Sequence, residues 1–208
     1  MIASPETKPT SVVASKTNNL FPVFLKLEEM CVLVVGGGNV ALEKLNAIYS
    51  NSPQAKLRLV AEKASKEVLS LASLFPSVEI QMRSFLPADF ENVQLAIIAI
   101  NDASTSKEIK LLANEKGILV NVADTPHLCD FYLGSIVQKG NLKLAISTNG
   151  KSPTIAKRLR ETLSELLPDQ LENVLQNMEQ IRKHLKGDFA EKVKKLNEIT
   201  RAISVSNK

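Results

Sequence analysis

Apolar and polar positions follow two rhythms along the first two thirds of the chain. Cys31 to Val35 is an unbroken apolar run rich in β-branched residues, the pattern of a strand covered on both faces. Ala41, Leu42, Leu45 and Ile48 then recur at helical spacing, so a helix is predicted over 40–49, stopped by Asn51-Ser52-Pro53. Lys56 to Ala61 alternates polar with apolar and reads as a second strand. A helix over 65–75 and a short strand over 78–82 follow. Leu95 to Ile100 is the most apolar run in the chain and predicts a central strand, terminated by Asn101-Asp102. A helix over 104–115, closed by Gly117, leads to a strand over 118–123. The order β-α-β-α-β-β-α-β predicts a doubly wound parallel α/β sheet of the Rossmann type. Upstream, Leu20 to Leu27 is apolar and extended. Pro22 keeps it out of a central strand, so it is expected as a docking segment or an edge strand on this domain.

The pattern changes after residue 123. Phe131 to Val137 and Leu142 to Ser147, joined at Lys139-Gly140-Asn141, read as a hairpin. Ser152-Pro153 opens a helix over 154–167, interrupted by Pro168-Asp169. Apolar residues at 171, 174, 175, 178, 181 and 185 make one face of a further helix, and a last helix is expected over 189–203. The predicted organisation is a disordered leader over 1–19, a nucleotide-binding domain over 20–133, a small sheet region over 134–168 and a helical region over 169–208. The terminal helices need a partner surface, either the small sheet or a second subunit.

Composition narrows the function. Hydrophobic residues make up 44% of the 208 positions and charged residues 23%, an ordinary globular balance. The polar stretch Met1 to Asn19 has no apolar core of a secretory signal, and no apolar run is long enough to span a bilayer. Two cysteines, Cys31 and Cys129, suggest no disulfide framework and fit a reducing cytoplasm. With only two histidines a His/Cys metal cluster is not expected, and no metal ligands are assigned. The net charge of +4 is mild, and no aromatic-and-basic motif points to nucleic acid. No Tyr-x-x-x-Lys pair is present, because neither Tyr49 nor Tyr132 has a lysine four residues on.

The chemistry concentrates where the strands end. Gly36-Gly37-Gly38 sits between a predicted strand and a predicted helix, the context in which G-x-G-x-x-G/A means dinucleotide binding. Gly36 takes the turn position and Gly38 the position where a side chain would block the pyrophosphate. Ala41 is the small residue that lets helix and strand pack closely. Glu62, 24 residues after Gly38, falls where an acidic side chain meets the adenosine ribose, with Lys63 beside it. Asn101 and Asp102 end a central strand and are candidate cofactor contacts or helix caps. Asp124 ends the next strand on the same side, where a carboxylate can act as general base or as a turn cap. His127 is close enough in sequence to share acid–base or substrate contacts. Asp130 is expected to fix the hairpin, and Cys129 to be buried rather than reactive. Ser147, Thr148, Asn149, Lys151 and Ser152 form a polar loop entering a basic helix with Lys157, Arg158 and Arg160. That arrangement favours an anion, here substrate carboxylates, or else a capped turn.

Several motifs occur in order: Phe21-Pro22-Val23-Phe24, Val34 to Ala41, Asn121 to Pro126, Cys129-Asp130-Phe131-Tyr132, and Ile146 to Pro153. Over about residues 20 to 168 the chain resembles the precorrin-2 dehydrogenase family, some members of which are also sirohydrochlorin ferrochelatases. The resemblance implies a Rossmann domain that binds NAD, a small sheet that makes an intertwined homodimer, and a helical tail over the substrate region. It implies removal of hydride from precorrin-2 to give sirohydrochlorin in sirohaem synthesis. In bifunctional members ferrous iron then enters as a second substrate. It makes Asp124 the essential aspartate, and places Asn39, Val40, Glu62 and Lys63 on positions that contact NAD. A serine that can be phosphorylated in some relatives falls on Thr148. A separate uroporphyrinogen III methyltransferase is expected to supply the substrate. The alternative reading of the same residues is a non-catalytic NAD-binding sensor with a helical interaction tail.

Overall fold

The computed structural model describes residues 17–169, 171–185 and 188–200. Strand β1 (Cys31–Val35) lies at the centre of a five-stranded parallel sheet, with β2 (Lys56–Val60) on one side and β4 (Leu95–Ile98) on the other. The strand β3 (Ser77–Gln81) and the strand β5 (Leu119–Val122) form the edges, giving the order β3-β2-β1-β4-β5. Helices α1 (Asn39–Asn51), α2 (Lys66–Ala72) and α3 (Ala103–Glu115) make the crossovers. The unbroken apolar runs follow from burial on both faces. Val32 and Val34 pack with Ala41, Leu45 and Val68 beneath α1 and α2. Leu33 and Val35 pack with Ile98, Ile109 and Ala113 beneath α3. A strand covered twice has no polar side to show, so it does not alternate.

The chain winds outward from β1 to β3, then returns to β4 beside β1 and winds the other way to β5. At that reversal the connections leave in opposite directions and a crevice opens beyond the carboxyl ends of β1 and β4. Every nucleotide-site residue expected from the sequence stands at that edge.

Beyond the sheet, β6 (Ser135–Lys139) and β7 (Leu142–Ile146) pair as an antiparallel hairpin turning at Gly140-Asn141. Helix α4 (Pro153–Leu166) packs on β6, and its Ala156 is buried. Helices α5 (Leu171–His184) and α6 (Phe189–Thr200) bury no residue completely. Glu172 ties α5 to the hairpin turn, accepting from Asn141 N and Asn141 Nδ2 at 2.7 Å each.

Three expectations need correction. Residues 20–26 are not an edge strand. The segment forms no strand and runs through the single turn Leu27–Glu29 directly into β1, the central strand. Leu27 packs against the core, while Phe21 is left 87% and Phe24 68% exposed. The hairpin starts at Ser135 rather than at residue 131, because residues 129–131 lie along the outer side of β5. The strand expected over 95–100 stops at Ile98, and Ile100 packs only partly into the core. Residues 1–16 of the leader expected over 1–19, and the end of the last helix, 201–203, lie outside the described residues.

Candidate functional site

An open cleft of about 770 Å³ lies at the reversal. It is lined by Gly36, Gly38, Asn39, Val40, Glu62, Lys63, Asn101, Asp102 and Asp124, the nine cofactor and catalytic candidates, together. Sequence spacing thus brought residues from four strand ends to one place.

The three glycines divide the work. Gly36 turns the chain at φ 124, and a Cβ there would meet the carbonyl of Ala99 at 2.2 Å. A Cβ on Gly37 would meet Lys63 O at 2.2 Å and Ala64 Cα at 2.6 Å, so this glycine lets the loop pack against the β2 exit. The sequence reading left Gly37 unassigned. Gly38 differs: a Cβ there would meet nothing within 4 Å, because the position faces the open cleft. The turns before and behind are tight, and the third glycine is open to a ligand.

Gly38 is also the N-cap of α1, and no side chain caps that helix. Among the described residues, α2, α3 and α4 each have a side-chain cap, from Ser65, Asp102 and Ser152 respectively. The first N–H groups of α1 therefore keep their donor capacity and the positive end of the helix dipole faces the cleft. That is an anion cradle built from main chain, and it suits a pyrophosphate.

Beyond the carboxyl end of β2, Glu62 accepts from Ser84 Oγ at 2.5 Å. Arg83 lines the cleft beside it but is committed elsewhere. Its guanidinium donates to Asp89 Oδ1 at 2.6 Å and Oδ2 at 2.8 Å, and to Ser84 O at 2.9 Å. Asp89 is only 5% exposed. Burial pushes its pKa up, but the Arg83 hydrogen bond and the Leu86 N–H outweigh that and hold the carboxyl below its ordinary value. Arg83, Ser84, Phe85, Thr105 and Ser106 also line the cleft and were not found from sequence.

Asp102 performs the capping role among the two expected for it. It accepts from Ser104 Oγ at 2.6 Å and Thr105 N at 3.0 Å, and these bonds hold its pKa down at about 2. Asp124 has a φ of 56 and is exposed on the far wall of the cleft. A left-handed backbone at a non-glycine residue costs energy, and such conformations cluster at functional sites.

The expected substrate contacts stand apart. His127 is exposed in the turn Pro126–Leu128 and is not among the cleft residues. Ser147, Thr148, Asn149, Lys151 and Ser152 are not among them either. The hydroxyls of Ser147, Thr148 and Ser152 close the loop on itself. Thr148 Oγ1 accepts from Ser152 N at 3.2 Å and donates to Ser152 O at 3.1 Å. Ser152 Oγ accepts from Ile155 N, and Ser147 Oγ from Asn149 N. Asn18 Nδ2 reaches Ser147 O at 3.5 Å.

Fold and cleft together define a dinucleotide-binding protein of the Rossmann class. Residues 23–135 match the family described as "Putative NAD(P)-binding", and residues 139–166 match the central region of sirohaem biosynthesis proteins. A siroheme synthase of Ruthia magnifica is 32% identical over 176 residues, 85% of this chain and 35% of that protein. A siroheme synthase of Pseudoalteromonas translucida is 37% identical over 150 residues, 72% of this chain and 31% of that protein. The chain spans about a third of the length of these curated relatives. The solved structure of SirC, a precorrin-2 dehydrogenase, superposes with a TM-score of 0.69 at 27% identity, covering 89% of this chain and 94% of that one. The chain belongs to the NAD(P)-binding family of sirohaem biosynthesis, the family its motifs resemble.

Proposed function

We propose that this protein is an NAD-dependent precorrin-2 dehydrogenase that forms sirohydrochlorin. The observation that carries the reading is the meeting, in one cleft, of an uncapped α1 amino end at Gly38 with an exposed carboxylate at Asp124. The likeness to SirC over 94% of that chain supports the substrate.

The residues present fit the dinucleotide. Gly38 leaves room for the pyrophosphate, and the N–H groups of Asn39 and Val40 receive it. Glu62, oriented by Ser84, accepts from the ribose hydroxyls. Arg83, the nearby guanidinium that would meet a 2′-phosphate, is already held by Asp89, which favours NAD over NADP. When bound, NAD supplies the hydride acceptor. Asp124 accepts the proton that must leave the tetrapyrrole as the hydride departs, so two electrons and two hydrogens are accounted for. The Lys157, Arg158 and Arg160 side of α4 is offered to the substrate carboxylates, while the hydroxyls of the loop before it stay bonded within the loop.

The reading extends to a homodimer formed through the β6–β7 hairpin, whose strands, among the described residues, pair only with each other. It also places the enzyme in the cytoplasm, where the free thiols Cys31 and Cys129 stay reduced.

The test is an anaerobic assay with precorrin-2 and NAD, followed through NADH absorbance, on wild type and Asp124→Ala. The expected outcome is NADH formation by wild type, a loss of about 100-fold or more in the variant, and unchanged NAD binding. A wild type that binds NAD and makes no NADH sinks the reading in favour of a sensor. Ferrous iron, added as a second substrate after the first step, decides the chelatase activity: enzyme-accelerated uptake over a protein-free control establishes it.

A further inference from the structure

Strand β5 is a sheet edge, with no strand beyond it among the described residues, yet Val120, Asn121 and Val122 are buried. Buried main-chain groups on an open edge need partners. The segment that returns after Asp124 supplies them with few main-chain bonds of its own. Asp130 N donates to Val120 O at 2.8 Å, and the Asp130 carboxylate accepts from Val120 N at 2.8 Å. Lys110 of α3, 7% exposed, holds that carboxylate from behind. Asn121 Nδ2 donates to Phe131 O at 2.9 Å.

At Val122, the last residue of β5, the partner is a thiol. Cys129 Sγ accepts from Val122 N at 3.3 Å and donates to Val122 O at 3.1 Å. One atom thus fills the place of a neighbouring strand residue. Burial pushes the Cys129 thiol above its ordinary pKa, so at neutral pH it keeps the proton it needs to donate while accepting. The loop between the two anchored runs carries Asp124 at φ 56, two residues beyond the thiol-bound position. Thr125 N returns to Val122 O at 3.2 Å, so the turn around Asp124 is built on the same carbonyl that the thiol holds.

We propose that Cys129 is a positioning residue for the reaction: by pairing both main-chain groups of Val122, its thiol holds the loop that presents Asp124 to the cleft. This rests on the assignment of Asp124 as proton acceptor. Small displacements of a reacting group cost much in rate, so the effect appears in turnover rather than in cofactor affinity.

The experiment compares wild type with Cys129→Ala and Cys129→Ser, each alone and combined with Asp124→Asn. In Cys129→Ala, kcat falls roughly 10- to 100-fold, while the Kd for NAD stays within about twofold. Serine keeps a donor and an acceptor, and restores most of the rate. In the Asp124→Asn background, Cys129→Ala lowers the residual rate no further, because the group it positions is gone. An equal fall in both backgrounds, or an unchanged kcat, overturns the proposal. Hydrogen exchange of the 120–130 peptide reads the clamp without turnover. It speeds up in Cys129→Ala, recovers in Cys129→Ser, and leaves the β4 peptide unchanged. If wild type makes no NADH, the dehydrogenase reading fails, and an unchanged 120–130 exchange in Cys129→Ala then overturns the clamp as well. Accelerated exchange with full turnover keeps the contact and removes its catalytic role.

Discussion

Two helices begin with the chemistry of an anion site, and they end up in opposite states. Helix α1 starts at Gly38 with nothing capping its first N–H groups, inside the cleft. Helix α4 starts at Ser152, whose own Oγ takes Ile155 N, while Thr148 and Ser147 bind their neighbours in the loop. Ser, Thr and Asn are good at satisfying a helix start because their oxygens reach the same donors a ligand would use. A glycine cannot. The comparison teaches that a free anion cradle is marked by missing polar side chains, whereas a polar loop before a helix has often spent its capacity on itself. The fold needs both: α4 must be pinned to the hairpin, and α1 must wait for a partner.

The sharpest way to break that contrast is to add one methyl group at adjacent glycines. Gly37→Ala drives a Cβ against Lys63 O, with 2.2 Å available. Backbone cannot yield cheaply there, and a loss of about 3 kcal/mol in urea denaturation is expected. Gly38→Ala points the same methyl into open space. It should keep stability within about 1 kcal/mol yet weaken NAD binding by roughly tenfold or more, measured by calorimetry. If both variants lose stability equally, or if Gly38→Ala binds NAD like wild type, Gly38 is not the open face of the cradle.

The sheet and its cofactor edge were legible because their signals are local. A β-branched run, three glycines and a helical period lie within 20 residues, and Glu62 lies at the usual remove. What stayed hidden was assembled by tertiary contact. Nothing in the local sequence announces that Arg83, Ser84 and Phe85, before a single turn of Pro87–Phe90, enter the same cleft. Cys129 was expected to be buried and is half-buried, and its pairing with Val122 depends on the path of residues 123–128. The segment 20–27 was apolar and extended in either role, and only the strand pairing of the folded sheet, which leaves it out, separates the two. The polar loop over 147–152 was ambiguous in principle, because capping and anion binding draw on the same residue types.

Ser152→Ala tests the second half of the contrast with a smaller effect. Loss of the bond to Ile155 N should cost about 1 kcal/mol of stability, the usual value of an N-cap hydroxyl. NAD affinity and the KM for the tetrapyrrole should not move. A rise in that KM without loss of stability would return the hydroxyl to the substrate and show that the loop opens when substrate arrives.

The smallest expected effect concerns Asp102, which sits in the cofactor cleft yet behaves like Ser152. Its carboxylate serves Ser104 and Thr105, and these bonds depress its pKa to about 2 from an ordinary 3.8. The sign follows from the direction. A depressed folded pKa makes a contribution to stability that is complete above the unfolded value and lost as pH falls through the folded one. Between pH 7 and pH 5 the cap is therefore constant, and it weakens only as pH drops from about 4 towards 2. Carbon-detected NMR titration should find the Asp102 carboxyl still ionised at pH 3. Asn caps helices as well as Asp does, so Asp102→Asn should leave stability at neutral pH and the Kd for NAD within about twofold. A tenfold loss of NAD affinity in that variant would mean that the charge itself meets the cofactor. The division between a capped helix start and a waiting one would then fail at Asp102, whose side chain caps a helix from within the cleft.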